Sequence, residues 1–203
     1  MKHYSPSETK NFLGEYFKLI VNVNSMLVIH PTDRTTDFLR TLYEGREDVR
    51  LLTGKESRKE FGSILFHLRS GERVMLLGHG TDAGLFRLEE DGEYRLYVGH
   101  TMVYALRKHP VIGIWCHAEL FARKEHLHGL FSGMIVSEMS EAQDYDIACS
   151  QEELDRENAN LAERLRALFD EEVPFQEIPS RLAAMDVART QLTMFNYNNF
   201  YCL

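Results

Sequence analysis

Two residues in this chain carry the chemistry of a nucleophile and of its proton carrier, and each stands just past a short apolar run. Arg73-Val74-Met75-Leu76-Leu77 leads into Gly78-His79-Gly80, and Val111-Ile112-Gly113-Ile114-Trp115 leads into Cys116-His117-Ala118. A thiolate is intrinsically nucleophilic near neutral pH. An imidazole titrates in the same range and can hand a proton to a leaving amine. Attack on a carbonyl also needs N–H groups aimed at the oxyanion that forms. Cys116, at a strand-to-loop break, can offer its own N–H. Gly80 can offer a second, because glycine lets the backbone approach a substrate closely. His79 and Cys116 are therefore the candidate catalytic pair, and Gly80 and Cys116 the candidate oxyanion donors.

For these groups to meet, both runs must be buried strands whose carboxyl ends lie side by side, the edge where open α/β sheets build their sites. The rest of the chain supplies such a sheet. Apolar runs at 25–29, 49–52 and 134–137 read as further strands. Thr35 to Tyr43, Glu56 to Arg69, Met102 to Lys108 and Arg181 to Met194 read as helices. Ser5-Pro6-Ser7-Glu8 starts an N-terminal helix within residues 1–24. Ser150-Gln151-Glu152-Glu153 is a capping box that opens a long helix with Leu154, Leu161, Leu165 and Leu168 inward. The segment 86–98, turning at Asp91-Gly92, reads as a small hairpin. Strands alternating with helices predict one α/β domain over residues 1–203, a three-layer sandwich around a central, mostly parallel sheet. Residues 195–203, Phe-Asn-Tyr-Asn-Asn-Phe-Tyr-Cys-Leu, are too aromatic for a solvated tail. They are expected to dock on the body or on a second copy as a homodimer contact.

Composition narrows the function classes. The 203 residues carry a formal net charge of −8 without a Lys/Arg block, which argues against nucleic acid and against an anionic membrane as partners. No run reaches transmembrane length and no signal-peptide core opens the chain. The three cysteines, Cys116, Cys149 and Cys202, are odd in number and far apart, which points to reduced thiols and a cytoplasmic setting.

The two strand-end motifs, Leu76-Leu77-Gly78-His79-Gly80 and Ile112-Gly113-Ile114-Trp115-Cys116, resemble those of the caspase-like cysteine peptidases, the group that includes metacaspases and gingipains. Cys116-His117-Ala118 is similar to the metacaspase pattern of Cys-His and a small residue. The resemblance covers roughly residues 25 to 140 in order of elements. It implies a caspase-like fold and a cysteine endopeptidase acting on a protein or peptide substrate through an acyl-enzyme, without cofactor or metal. Cys116 would be the nucleophile and His79 the catalytic histidine. Asp33 matches where basic-specific relatives often place an acidic specificity residue. Asp82 and Glu138 join it as candidate substrate-binding carboxylates. Two positions depart from the pattern: Trp115 stands where the family has a small residue, and Glu119 where metacaspases have glycine.

Those departures keep two other functions open: an inactive caspase-like binding or regulatory module, and a flavodoxin-like small-ligand binder using the same sheet edge. Other motifs carry less. Cys116-His117 with His126 and His128 fits no standard zinc spacing, so a histidine-rich loop is expected and no metal. Gly54-Lys55-Glu56-Ser57 lacks the upstream glycine of a phosphate loop, since position 49 is Val49. Glu138 and Glu141 are expected near the sheet edge, as helix-start carboxylates or as acids facing a basic substrate.

Overall fold

The computed structural model describes residues 26–203; the predicted helix within 1–24 lies outside them. The strands are β1 (Met26–Ile29), β2 (Val49–Leu52), β3 (Arg73–Leu77), β4 (Gly80–Thr81), β5 (Gly84–Leu88), β6 (Tyr94–Gly99), β7 (Val111–Ile114), β8 (Gly129–Ser132) and β9 (Phe200–Cys202). The α-helices are α1 (Arg58–Phe66), α2 (Val103–Leu106), α3 (Ala118–Glu125), α4 (Met139–Asp144), α5 (Gln151–Asp170), α6 (Ile178–Ala184) and α7 (Gln191–Tyr197). A six-stranded sheet runs β2-β1-β3-β7-β8-β9, parallel throughout except for β9, which is antiparallel to β8. A separate antiparallel sheet holds β4-β5-β6.

The central strands are apolar on both sides because both sides are covered. Successive residues alternate between the two cores, as strand geometry requires. Met26, Val28, Met75 and Leu77 pack with Leu161, Leu165 and Leu168 of α5. Leu27, Ile29, Val74 and Leu76 pack with Phe61 of α1, Phe121 of α3 and Leu85 of β5. This is the expected three-layer α/β sandwich with a central, mostly parallel sheet.

Several local expectations are corrected. The helix read at 35–43 is present as a 3-10 helix over residues 34–42. Its Asp33 cap accepts from the Thr35 N–H, and the Thr36 N–H reaches the Asp33 carbonyl three residues back. The tight three-residue period puts Thr36, Leu39 and Leu42 on one buried line. The strand expected at 134–137 lies instead at Gly129–Ser132. Val136 finds its backbone partners in the Asn196 side chain, which accepts from the Val136 N–H (2.8 Å) and donates to its carbonyl (3.0 Å). The helix expected from 181 to 194 is two, α6 and α7. Asp186 accepts from the Arg189 N–H, Arg189 has φ +48°, and Thr190 caps α7. The helix expected at 102–108 lies instead at 100–106, a 3-10 turn at His100–Met102 followed by α2. Of the capping box at Ser150, the Glu153 N–H to Ser150 hydroxyl bond is present (3.1 Å). The aromatic tail docks on the body: β9 closes the sheet against β8.

His30, just past β1, fixes the 3-10 helix. Its Nδ1 meets the Tyr43 hydroxyl (3.0 Å) and its Nε2 the Thr36 hydroxyl (3.2 Å), and the residue is buried. Burial lowers its pKa from 6.5 to about 4. The folded state therefore refuses a proton that the unfolded chain accepts below pH 6.5. Its stability contribution is present above that pH and is lost as pH falls toward 4. The shift corresponds to about 3 kcal/mol at full expression. Urea denaturation across pH should show His30→Gln less stable than the wild type at pH 7. Between pH 6.5 and 4 it should lose about 3 kcal/mol less than the wild type. Parallel curves would assign the acid sensitivity elsewhere.

Candidate functional site

Strands β3 and β7 pair in parallel with Leu77 opposite Ile114, and the Gly78 N–H extends the ladder to the Ile114 carbonyl (3.1 Å). His79 and Cys116 each stand two residues beyond that last pair. They line one small cavity of about 20 Å³ with Phe38, Ile135 and Ser137. The sheet thus brings the predicted pair to one edge on neighbouring strands.

The turn that presents Cys116 is held from below. Ser132 on β8 is fully buried; its hydroxyl accepts from the Trp115 N–H (3.0 Å) and donates to the Trp115 carbonyl (2.8 Å). His117 then takes a left-handed conformation, φ +68°, and the chain enters α3 at once. Such a conformation is uncommon in a residue with a Cβ. The Cys116 N–H meets no acceptor among the described residues, as an oxyanion donor should. Trp115, the first departure from the family pattern, has a structural job. Its indole N–H donates to the Thr81 carbonyl (3.0 Å), tying β4 to the end of β7. A Cβ on Gly80 would lie 2.3 Å from Trp115 Cδ1 and 2.4 Å from the Gly84 carbonyl oxygen, so the His-Gly step requires glycine. Glu119, the second departure, has its Oε2 buried without a partner among the described residues.

Around His79 the acids converge. Its Nε2 lies 2.6 Å from Thr35 Oγ1, 3.3 Å from Glu138 Oε1 and 3.9 Å from Asp33 Oδ2. Thr35 donates its hydroxyl proton to Asp33 Oδ1 (2.8 Å), and Tyr94 donates to Asp33 Oδ2 (2.5 Å). The Tyr94 ring also meets the imidazole edge-on, centroids 5.3 Å apart. Burial opposes the Asp33 charge, but the bonds from Tyr94 and Thr35, with His79 nearby, outweigh it and hold the carboxyl below its ordinary pKa. Tyr94 is pushed well above the phenol range by burial and by Asp33.

The thiol faces a different carboxylate. Cys116 Sγ lies 3.5 Å from Glu141 Oε1 and 3.6 Å from the Ile135 carbonyl. Glu141 Oε2 meanwhile accepts from the N–H groups of Ser137 and Glu138, in the capping box that starts α4. Burial first, and the Glu141 charge second, push the Cys116 thiol up to about 12. The carboxylates read as helix-start acids do cap α4, and they also reach both members of the pair.

Of the candidate substrate carboxylates, Asp33 and Glu138 come together at His79, and Asp33 spends its oxygens on Thr35 and Tyr94. Asp82 lies exposed in the turn between β4 and β5, outside this contact set. His126 and His128 are exposed. Among the described residues no group of three or more His, Cys, Asp or Glu side chains could hold a metal ion. Nor is any helix long and apolar enough to cross a membrane. Thr35 and Tyr94 escaped the sequence. Asp33-Arg34-Thr35 carries only the local mark of a capped turn, and Tyr94 arrives from a different sheet. No protein-family model matches the chain, and no curated protein matches it.

Glu141→Gln removes one charge from beside the sulfur while keeping an oxygen for the α4 cap. Alkylation of the three cysteines, followed by peptide mass spectrometry across pH, should find Cys116 the slowest in the wild type at pH 8. Its rate should rise roughly threefold to tenfold in Glu141→Gln, because the charge that adds to burial in raising the thiol's pKa is removed. An unchanged rate would show that burial alone silences the thiol.

Proposed function

We propose that the protein is a cysteine endopeptidase of caspase-like type, acting through Cys116 and His79. The observation that carries this is the β3–β7 register, which sets a thiol and an imidazole at one sheet edge beside an unengaged N–H. The Cys116 proton passes to His79, and the thiolate attacks the scissile carbonyl carbon. The C–S bond forms as the carbonyl electron pair moves to oxygen, where the N–H groups of Cys116 and Gly80 receive it. Collapse breaks the C–N bond, the amine leaves with the proton from His79, and water then hydrolyses the thioester. The carboxylates of Asp33, Glu138 and Glu141 favour a substrate that is cationic beside the scissile bond. A second copy pairing on the outer edge of β9 is the form a homodimer would take.

One observation favours the inactive module instead: Cys116 Sγ lies 3.5 Å from Glu141 Oε1, and burial together with that charge pushes the thiol's pKa up. The two functions separate in one experiment. The protein is incubated with a peptidyl chloromethyl ketone bearing Arg or Lys next to the ketone, and with an unbiased peptide library. For a peptidase, label appears on Cys116 and peptides are cleaved. Cys116→Ala abolishes both, and His79→Ala lowers cleavage by roughly a hundredfold or more. Absence of both label and cleavage in the wild type would leave the binding module.

A further inference from the structure

The atom of His79 that works as a base follows from proton bookkeeping around its ring. An ionised carboxylate only accepts hydrogen bonds, and a threonine hydroxyl has one proton to give. Thr35 gives that proton to Asp33 Oδ1, at 2.8 Å, and Asp33 is held ionised by Tyr94 and by the Thr35 N–H. At 2.6 Å from His79 Nε2, the Thr35 oxygen can therefore only accept. Glu138 Oε1, at 3.3 Å from the same nitrogen, also only accepts. Oxygen acceptors alone converge on Nε2, so the proton of the neutral ring sits there. The other ring nitrogen, Nδ1, keeps its lone pair and has no protein hydrogen-bond partner among the described residues.

We propose that Thr35, itself held by Asp33, is the positioning residue of His79. It fixes the Nε2–H tautomer and leaves Nδ1 as the atom that takes the proton from Cys116. In that step the S–H bond breaks and an Nδ1–H bond forms, giving a thiolate and an imidazolium. The imidazolium then shares its Nε2–H between Thr35 and Glu138, with the Asp33 charge 3.9 Å away. The proton-accepting role of Nδ1 rests on the peptidase proposal; the tautomer and its cause do not.

The test is ring-nitrogen NMR on protein labelled with 15N-histidine, at a pH where the ring is neutral, with His79 assigned by His79→Gln. The wild type should show the Nε2–H tautomer. Thr35→Val removes the hydroxyl but keeps the backbone N–H to Asp33, and should shift His79 toward a mixture. Thr35→Ser should restore the tautomer. Asp33→Ala is the second variant: it frees the Thr35 hydroxyl to donate to Nε2 and should populate Nδ1–H. With a cleavable peptide, Thr35→Val should lower kcat by roughly tenfold or more with KM little changed. A wild-type ring carrying its proton on Nδ1, or a tautomer indifferent to both Thr35→Val and Asp33→Ala, would overturn the proposal. Tautomer shifts as expected in a protein that cleaves nothing would uphold the positioning role and reject the peptidase.

Discussion

The parallel register of β3 and β7 is the constraint on which the rest of this structure depends. In a parallel pair a slip of one residue turns every side chain to the other face. Leu77 and Ile114 would then leave the core that they share with α5, and His79 and Cys116 would no longer stand at matched positions past the sheet edge. The burial of Val74 through Leu77 and of Val111 through Ile114 makes such a slip prohibitive, since each fully buried side chain of this kind is worth about 1.5–3 kcal/mol. Fold stability and site geometry are thus enforced by the same contacts. The Trp115 indole adds a cross-brace, filling the space beside Gly80 and gripping the Thr81 carbonyl.

The electrostatics of the site pull in two directions. Asp33 and Glu138 stand 3.9 and 3.3 Å from His79 Nε2, while Glu141 beside Cys116 disfavours a thiolate. With the thiol at about 12, roughly one molecule in 10⁵ would carry the thiolate at pH 7 in the arrangement described. In the proposed reaction, proton transfer to His79 would change that balance, because the new imidazolium would attract the new thiolate while Asp33 and Glu138 face its Nε2. A cationic group entering between Glu138 and Glu141 would act in the same sense.

What was legible in the sequence was whatever rests on strands and local caps. The runs at 49–52 and 73–77 are strands at those bounds, and the run at 111–115 is a strand as far as Ile114, because short apolar runs between polar turns have few other solutions. The long helix after Ser150 follows from its cap and its leucine stripe. The 134–137 run failed for a reason outside its own residues: Asn196, some sixty positions later, supplies the bonds that a neighbouring strand would have given. Likewise the candidate thiol and imidazole were legible because each stands just past a strand end. Thr35 and Tyr94 could not, because they meet His79 only through the packing of a 3-10 helix and a second sheet against the first.

That packing joins the site to the body of the fold by a short route. His30 grips Thr36 and Tyr43, one near each end of the 3-10 helix, so Thr35 is held by a neighbour that faces the core. Asp33 is at once the cap of that helix and the acceptor that orients the Thr35 hydroxyl. From the opposite side Tyr94, at the start of β6, closes on the same carboxylate. The imidazole is consequently aimed by groups that also stabilise the helix cap and the docking of the small sheet. Disturbing any of these should loosen the aim of His79 before it unfolds the protein. His79 and Cys116 themselves leave adjacent strands of one sheet, so these groups orient the ring while the β3–β7 register sets its place beside the thiol.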